Sequence, residues 1–423
     1  MRTLDKKFYL PFFLVSLLFL LWGVANNMND TLLAAFKRIM SMSDLQTSLV
    51  QFAFYGAYFC FALPAALFIM RFSYKTGILT GLLLYATGTI LFYPAGEVAS
   101  YPFFLFAIYV MAGGCSILET TANPYILSMG SRETATRRLN IAQTFNPIGA
   151  ICGILLSRSL ILSELHTADA TERNAMTADM LREVQTHELN AISGTYMIIG
   201  GVLMALFLVI LLAKMPKDRD ESVIPPVAES FRHLWKNRSY RYGVMAQFFY
   251  VGTQTCVWSF TIRYVMAETG SLEKEASMIF LYSIIAFTAF RFIFTWLMKF
   301  IRPARLLMWA AIAGLLLTVI VITCSGMLSI FALIAISASM SLMFPTIYGL
   351  ALKDVEERYT KIGASGLIMA ILGGAVLTPV QAIVSDYYGI STSFIVAAGC
   401  FMVVLSSARR ERVSKFSEKI SLA

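Results

Sequence analysis

The sequence predicts an all-α, polytopic membrane protein of twelve transmembrane helices, and three observations carry that prediction. Of its 423 residues, 58% are hydrophobic and only 14% charged, whereas a soluble domain carries about a quarter charged residues. Apolar runs long enough to cross a hydrocarbon layer at ~1.5 Å rise per residue recur along the chain, separated by short polar breaks. Lys and Arg are distributed unequally between alternate loops: with both termini inside, about 26 fall on the inner side and about 6 on the outer. The net charge of +9 therefore reflects membrane topology, and no nucleic-acid partner is expected. Cys60, Cys115, Cys152, Cys256, Cys324 and Cys400 all lie inside apolar runs, where they behave as small hydrophobes; neither a disulfide framework nor a metal site is expected.

The first span is placed near 8–33. Its basic start and apolar run imitate a signal peptide, with Gly23 to Ala25 near a plausible cleavage point, but cleavage would open the mature chain on its most informative segment, so an uncleaved span is expected. The second and third spans, near 45–70 and 76–96, flank a tight basic turn with Arg71, Tyr74 and Lys75. The fourth, near 101–129, holds Asn123-Pro124, and the fifth runs near 141–163. A polar segment, 164–190, follows on the outer side with room for a short surface helix; its charges, Arg173 among them, are read as solvating an exposed face. After the sixth span, near 191–213, the stretch 214–241 contains Pro216, Pro225 and Pro226 with several basic residues, and reads as a cytoplasmic linker between a six-helix bundle at 1–213 and a second at 242–423. The seventh to twelfth spans are placed near 243–267, 276–299, 304–324, 327–351, 363–385 and 390–408. The halves echo one another: Lys299, Arg302 and Arg305 repeat the basic turn, and Phe344-Pro345 in the tenth span answers Asn123-Pro124 in the fourth. Paired helix-interrupting prolines point to a substrate path, though each alone is equally a plain kink.

An ionisable side chain inside a span costs ~2.5–3.5 kcal/mol on insertion scales, which makes each one a functional candidate. The first span ends Trp22-Gly-Val-Ala-Asn26-Asn27-Met-Asn29-Asp30. Trp22, Asn26, Asn29 and Asp30 share a face, with Asn27 on its flank; the plain alternative is that the span stops at Asn26 and these groups are solvated. Glu119 lies too far from either end of the fourth span for a short carboxylate to reach water. It must face a wet cavity or carry a proton, which is the chemistry proton coupling needs. Asn123 lies one turn on, and Gly113 and Gly114 would admit a neighbouring helix. In the fifth span Asn140, Gln143 and Asn146 form a polar stripe that suits either sugar hydroxyls or interhelical hydrogen bonds. Gln247, Gln254 and Trp258 repeat the theme in the seventh, where Trp258, like Trp22, could stack on a sugar ring or sit in an interfacial belt. Arg291 in the eighth span is expected to pair with a loop carboxylate.

Four segments, Trp22 to Asp30, Leu118 to Pro124, Leu139 to Asn146 and Ala246 to Trp258, resemble in order those of the fucose permease branch of the major facilitator superfamily. The resemblance implies the major facilitator fold, two pseudo-symmetric six-helix bundles, alternating access, and symport of a proton with L-fucose or a related hexose. It implies that Asp30 carries the coupling proton, that Glu119 lines the central cavity and contacts sugar, and that Asn27, Gln143 and Asn146 are cavity amides. Trp22, Asn26, Asn123, Gln254 and Trp258 complete the candidate sugar-binding set. The expected partners are a small sugar and membrane lipid, the coupling ion is a proton with no cofactor, and the expected state is a monomer in a bacterial inner membrane with both termini cytoplasmic. Two departures stand out: the superfamily's second-to-third loop signature is degraded at Ala66 to Lys75, and Phe344 stands where the branch places a Tyr beside the proline.

The rival readings are a galactose or glucose symporter or uniporter of the same fold, a membrane-embedded enzyme, and a sensor. The only histidines, His166, His187 and His233, fall in loops, and no HExxH, Walker loop or nucleophile elbow occurs, which argues against an enzyme. The tail after Arg409 is too short for a signalling domain.

Overall fold

Helices form every regular element among the described residues of the computed structural model, which are 4, 6–40, 42, 44–166, 173, 175–216, 225–271 and 273–421. Eleven of the twelve spans among these residues are long and apolar enough to cross a membrane. The seventh span is also a continuous helix, Arg238–Thr269. It fails that test because Gln247, Gln254 and the Thr, Tyr and Gly residues of the charge-free stretch 242–262 dilute its apolar residues.

The first span, Tyr9–Ile39, does not end at Asn26 but continues unbroken for 31 residues, at ~1.5 Å per residue longer than the ~30 Å hydrocarbon layer. The second, Asp44–Arg71, and the third, Tyr74–Ile90, meet at the basic turn, where Ser73 caps the third helix by accepting from the Thr76 N–H. Lys75 in that turn donates to the carbonyls of Leu211 and Ala213, both at 2.8 Å, so the degraded loop signature caps the C-terminal end of the sixth span with a cation. The fourth span, Tyr101–Ser128, passes through Pro124 without a break. A Cβ at Gly114 would collide with the Tyr85 backbone of the third span, so only glycine permits this approach.

The fifth span is broken. Ala135–Gln143 and Phe145–Leu156 are separate helices, and a π segment, Ser157–Leu162, follows. Pro147 has no N–H to offer the Gln143 carbonyl four residues back, which accounts for the break. The tenth span breaks in the same way, into Met327–Met340 and Met343–Ala351 ahead of Pro345. The fourth span is thus unbroken at its proline, and the breaks just ahead of a proline at Pro147 and Pro345 fall in the fifth and tenth spans.

The sixth span starts much earlier than its apolar run. Ala178–Leu212 is one helix whose N-cap, Thr177, accepts from the Met180 N–H, so the surface helix expected in 164–190 is the extension of the span itself. The expectation that these charges only solvate a face fails for Arg173. Its side chain and that of Glu188 are each 1% exposed and form a two-pronged ion pair, with Arg173 Nη1 donating to Oε2 at 2.9 Å and Nη2 to Oε1. Glu188 Oε1 also accepts the His166 N–H at 2.8 Å.

Within the expected linker, Val227–Lys236 is helical, and Asn237 caps the seventh span by accepting from the Tyr240 N–H at 3.1 Å. Tyr359 near the start of the eleventh span donates to Glu229 of that helix at 2.7 Å, and His233 stacks on its ring at 4.3 Å. The eighth and ninth spans are Glu273–Leu297 and Pro303–Thr323. The eleventh is Glu357–Met369 continued by Gly373–Tyr388, and the twelfth ends in Ile395–Ser421. Packing divides the chain into two compact units, residues 7–122 with 148–218 and residues 123–147 with 219–423.

Candidate functional site

In the first unit, the candidate residues gather around Glu119. This side chain is 1% exposed and lines a cavity of about 10 Å³ with Leu18, Phe19, Trp22, Leu118 and Ala122, a volume on the order of one water molecule. Trp22 thus lines the same cavity as Glu119, and its ring stacks on Tyr58 of the second span with centroids 6.3 Å apart and planes 16° from parallel. Asn26 and Asn27 lie half-buried one turn further along the first span. Asn27 donates to the Gly23 carbonyl at 3.1 Å. A Cβ at Gly149 in the fifth span would collide with the Leu20 carbonyl, so glycine brings the fifth span against the first beside this face. The Asn29 and Asp30 side chains lie outside the described residues.

The second unit holds the amides. Asn123 is fully buried, and its Oδ1 accepts from Gln143 Nε2 at 2.8 Å. Asn140 Nδ2 donates to the Thr136 carbonyl at 2.9 Å and to Thr346 Oγ1 of the tenth span at 3.2 Å. Two members of the fifth-span stripe thus make interhelical bonds, while Asn146, on the far side of the break, is half-buried. Arg291 does not pair with a loop carboxylate as its position suggested. It is 2% exposed, lies over the Phe287 ring at 5.0 Å, and donates through Nη1 to the Gln143 carbonyl at 3.3 Å. That carbonyl is the one Pro147 leaves without a helical donor, so the cation replaces a missing backbone bond. Its Nε, although buried, has no hydrogen-bond partner among the described residues.

In the seventh span, Trp258 packs edge-on against Phe287 at 5.2 Å and donates from Nε1 to Ser337 Oγ at 3.2 Å, while Gln254 is half-buried. Gln247 is fully buried, and neither end of its amide finds a partner among the described residues. An amide with both ends buried and unbonded costs several kcal/mol, which makes it the least expected polar group in this unit. Phe344 lies between Tyr250 and Tyr348, both at 6.4 Å, and the Tyr250 hydroxyl donates to the Met340 carbonyl at 3.2 Å beside the tenth-span break.

The groups that the sequence does not single out are Tyr58, Tyr250, Ser337 and Thr346. Each sits among other residues of the same kind on its span, and only the packing of neighbouring helices sets it apart.

The chain is similar over nearly its whole length to known proteins. The L-fucose-proton symporter of Haemophilus influenzae is 41% identical over 415 residues, covering 95% of this chain and 96% of that protein. The glucose/galactose transporter of Brucella abortus is 32% identical over 393 residues, covering 92% and 91%. The solved structure of FucP, a transporter described in its outward conformation, aligns with a TM-score of 0.89 at 36% identity, covering 96% of this chain and 99% of that one. Residues 12–376 match the sequence profile of the Major Facilitator Superfamily, and with these relatives covering nearly its whole length, the chain belongs to that superfamily.

Proposed function

We propose that this protein is a secondary active transporter that imports L-fucose with a proton by alternating access. The observation that carries the reading is the 41% identity to an L-fucose-proton symporter across nearly both chains, together with a carboxyl buried in a membrane span at Glu119. A neutral sugar has no electrical cost to cross, so a buried carboxyl is better explained by coupling than by recognition alone. Glu119, Asn27, Gln143 and Asn146 hold sugar hydroxyls, Asn26, Asn123 and Gln254 extend that polar set, and Trp22 and Trp258 cover the ring faces. Asp30 takes the coupling proton from outside; neutral, it is cheap to bury during the transition, whereas the ionised form opposes it. Both termini are cytoplasmic in a bacterial inner membrane, and the working unit is the monomer.

The deciding experiment is uptake of labelled L-fucose into proteoliposomes with and without an inward proton gradient, with galactose and glucose as competitors. Gradient-driven fucose accumulation is expected. No fucose uptake, or accumulation that follows sodium and ignores pH, overturns the reading. One observation favours a second sugar: Phe344 stands where the resemblance to the fucose branch implies a Tyr beside the tenth-span proline, and a relative of 32% identity is a glucose/galactose transporter. If that hydroxyl sets the choice, Phe344→Tyr raises the preference for fucose over galactose by about tenfold, as expected of one buried hydrogen bond; an unchanged ratio removes Phe344 from the specificity argument.

A further inference from the structure

The helix Val227–Lys236, just ahead of the seventh span, takes no part in the function described so far. One of its faces is fixed to protein. Ser230 and Leu234 are buried, Glu229 accepts from the Tyr359 hydroxyl at 2.7 Å, and His233 stacks on the Tyr359 ring and lies 3.7 Å from Glu356. The adjoining face is apolar and exposed: Val227, Phe231 and Trp235 recur at every fourth residue, with Trp235 73% exposed. Arg232 and Lys236, also exposed, flank this stripe on the side away from Leu234. The same contacts fix the depth of the helix. A Cβ at Gly363 would come within 3.3 Å of Leu234 and 3.4 Å of Tyr240, so both side chains meet the eleventh span at that point. Gly363 lies just past Lys361, the last charge before the charge-free stretch 362–385, and Tyr240 lies beside Arg241, the last before 242–262. Leu234 is therefore level with the point where two spans pass from charged to apolar residues, which is the depth of the lipid headgroups.

We propose that Val227–Lys236 is an interfacial anchor on anionic lipid, with Val227, Phe231 and Trp235 seated among the upper acyl carbons and Arg232 and Lys236 on lipid phosphates. The proposal rests on the chain's being a membrane protein and is independent of the sugar and coupling ion proposed above. A short helix with an apolar stripe, a tryptophan and a basic flank is the pattern that lies in the plane of a bilayer surface. Tryptophan favours this layer because its ring is apolar and its N–H is polar. The basic flank complements anionic headgroups, to which each cation adds attraction at the surface. Because the opposite side of the helix is held by Tyr359 and Gly363, the stripe cannot turn inward to hide from solvent. At headgroup depth, lipid is what remains to cover it.

Fluorescence quenching of the full-length protein in nanodiscs, which leave both membrane faces open to solvent, tests this. The emission lost in Trp235→Phe is that of Trp235 and separates it from Trp22, Trp258, Trp296 and Trp309. In discs of phosphatidylcholine and phosphatidylglycerol brominated near the top of the acyl chains, this emission is expected to fall by about half, while acrylamide in the water lowers it little. Phe231→Glu, which puts a charge in the middle of the stripe, is expected to reverse both responses. Discs of phosphatidylcholine alone should shield Trp235 less from acrylamide, and Arg232→Gln with Lys236→Gln should abolish that difference between the two lipid compositions. Quenching of native Trp235 by acrylamide and not by brominated lipid places the stripe in water and overturns the proposal. Quenching by neither shows that protein, such as a second copy in the disc, covers the stripe, and overturns it equally. Equal shielding of the native protein in both compositions removes anionic lipid as the partner.

Discussion

A carboxyl that is 1% exposed within a membrane span is tolerable in two states, protonated or held by donors, and coupling requires movement between them. Glu119 has its surroundings in place for this, with Trp22 across a small cavity. The role proposed for Asp30 rests on resemblance and on its place in the first helix. If Asp30 is the coupling site, Asp30→Asn abolishes concentrative uptake, so that accumulation stays at about one, while sugar exchange at equilibrium persists; accumulation like that of the native protein would remove Asp30 from the mechanism. Glu119 was legible in the sequence because a charge in an apolar run is conspicuous. Tyr58 was not, because a tyrosine in a lipid-facing span reads as an aromatic anchor, and its buried hydroxyl emerges only once neighbouring helices are packed around it. Arg291 was conspicuous for the same reason as Glu119, yet its partner, a backbone carbonyl freed by a proline in another span, has no signature in the residues around it.

The fifth span joins two features that the sequence presents separately, Pro147 and Arg291. Pro147→Ala restores an N–H to the Gln143 carbonyl and makes the Arg291 contact redundant. In a double-mutant cycle Arg291→Gln alone should lower stability by about 1–3 kcal/mol, and distinctly less in the Pro147→Ala background, as read by thermal unfolding in detergent; equal losses in both backgrounds would mean that Arg291 acts elsewhere. The sixth span makes a different case. Arg173→Ala leaves Glu188 as an unpaired buried charge and should cost about 3–5 kcal/mol, whereas replacing both residues by leucine should recover most of that loss. Failure of the double variant to recover would show that the pair holds the outer segment by more than charge compensation. The early start of this helix at Ala178 was hidden in the sequence because its first turns carry Asp179, Arg182 and Glu183, which look like loop residues until the continuous backbone and the Thr177 cap are seen. The fifth-span break could have been read from Pro147 by the same rule that flagged Pro124, yet Pro124 lies in an unbroken helix, so a proline by itself does not decide whether its helix breaks.

For the whole molecule, hydropathy gave the number of spans, while the grouping of residues 123–147 with the later part of the chain depends on contacts such as Asn140 to Thr346 that no periodicity encodes. The seventh helix carries the furthest consequence. Among the described residues it is the one span too polar to count as membrane-crossing by its hydropathy, and Gln247, Thr253 and Thr261 within it are buried in protein. During synthesis each segment leaves the translocon on its own partitioning free energy, and polar groups near the middle of a segment raise that energy steeply. The seventh span is then a segment that its neighbours must escort into the bilayer. Fused alone to a reporter, it should remain largely untranslocated into lipid, and adding the eighth span behind it should restore insertion; efficient insertion of the isolated segment would show that its amides are solvated by the membrane interface instead. Biogenesis, by this account, cannot be completed helix by helix: the polarity of the seventh span delays its commitment to the membrane until the eighth has been made.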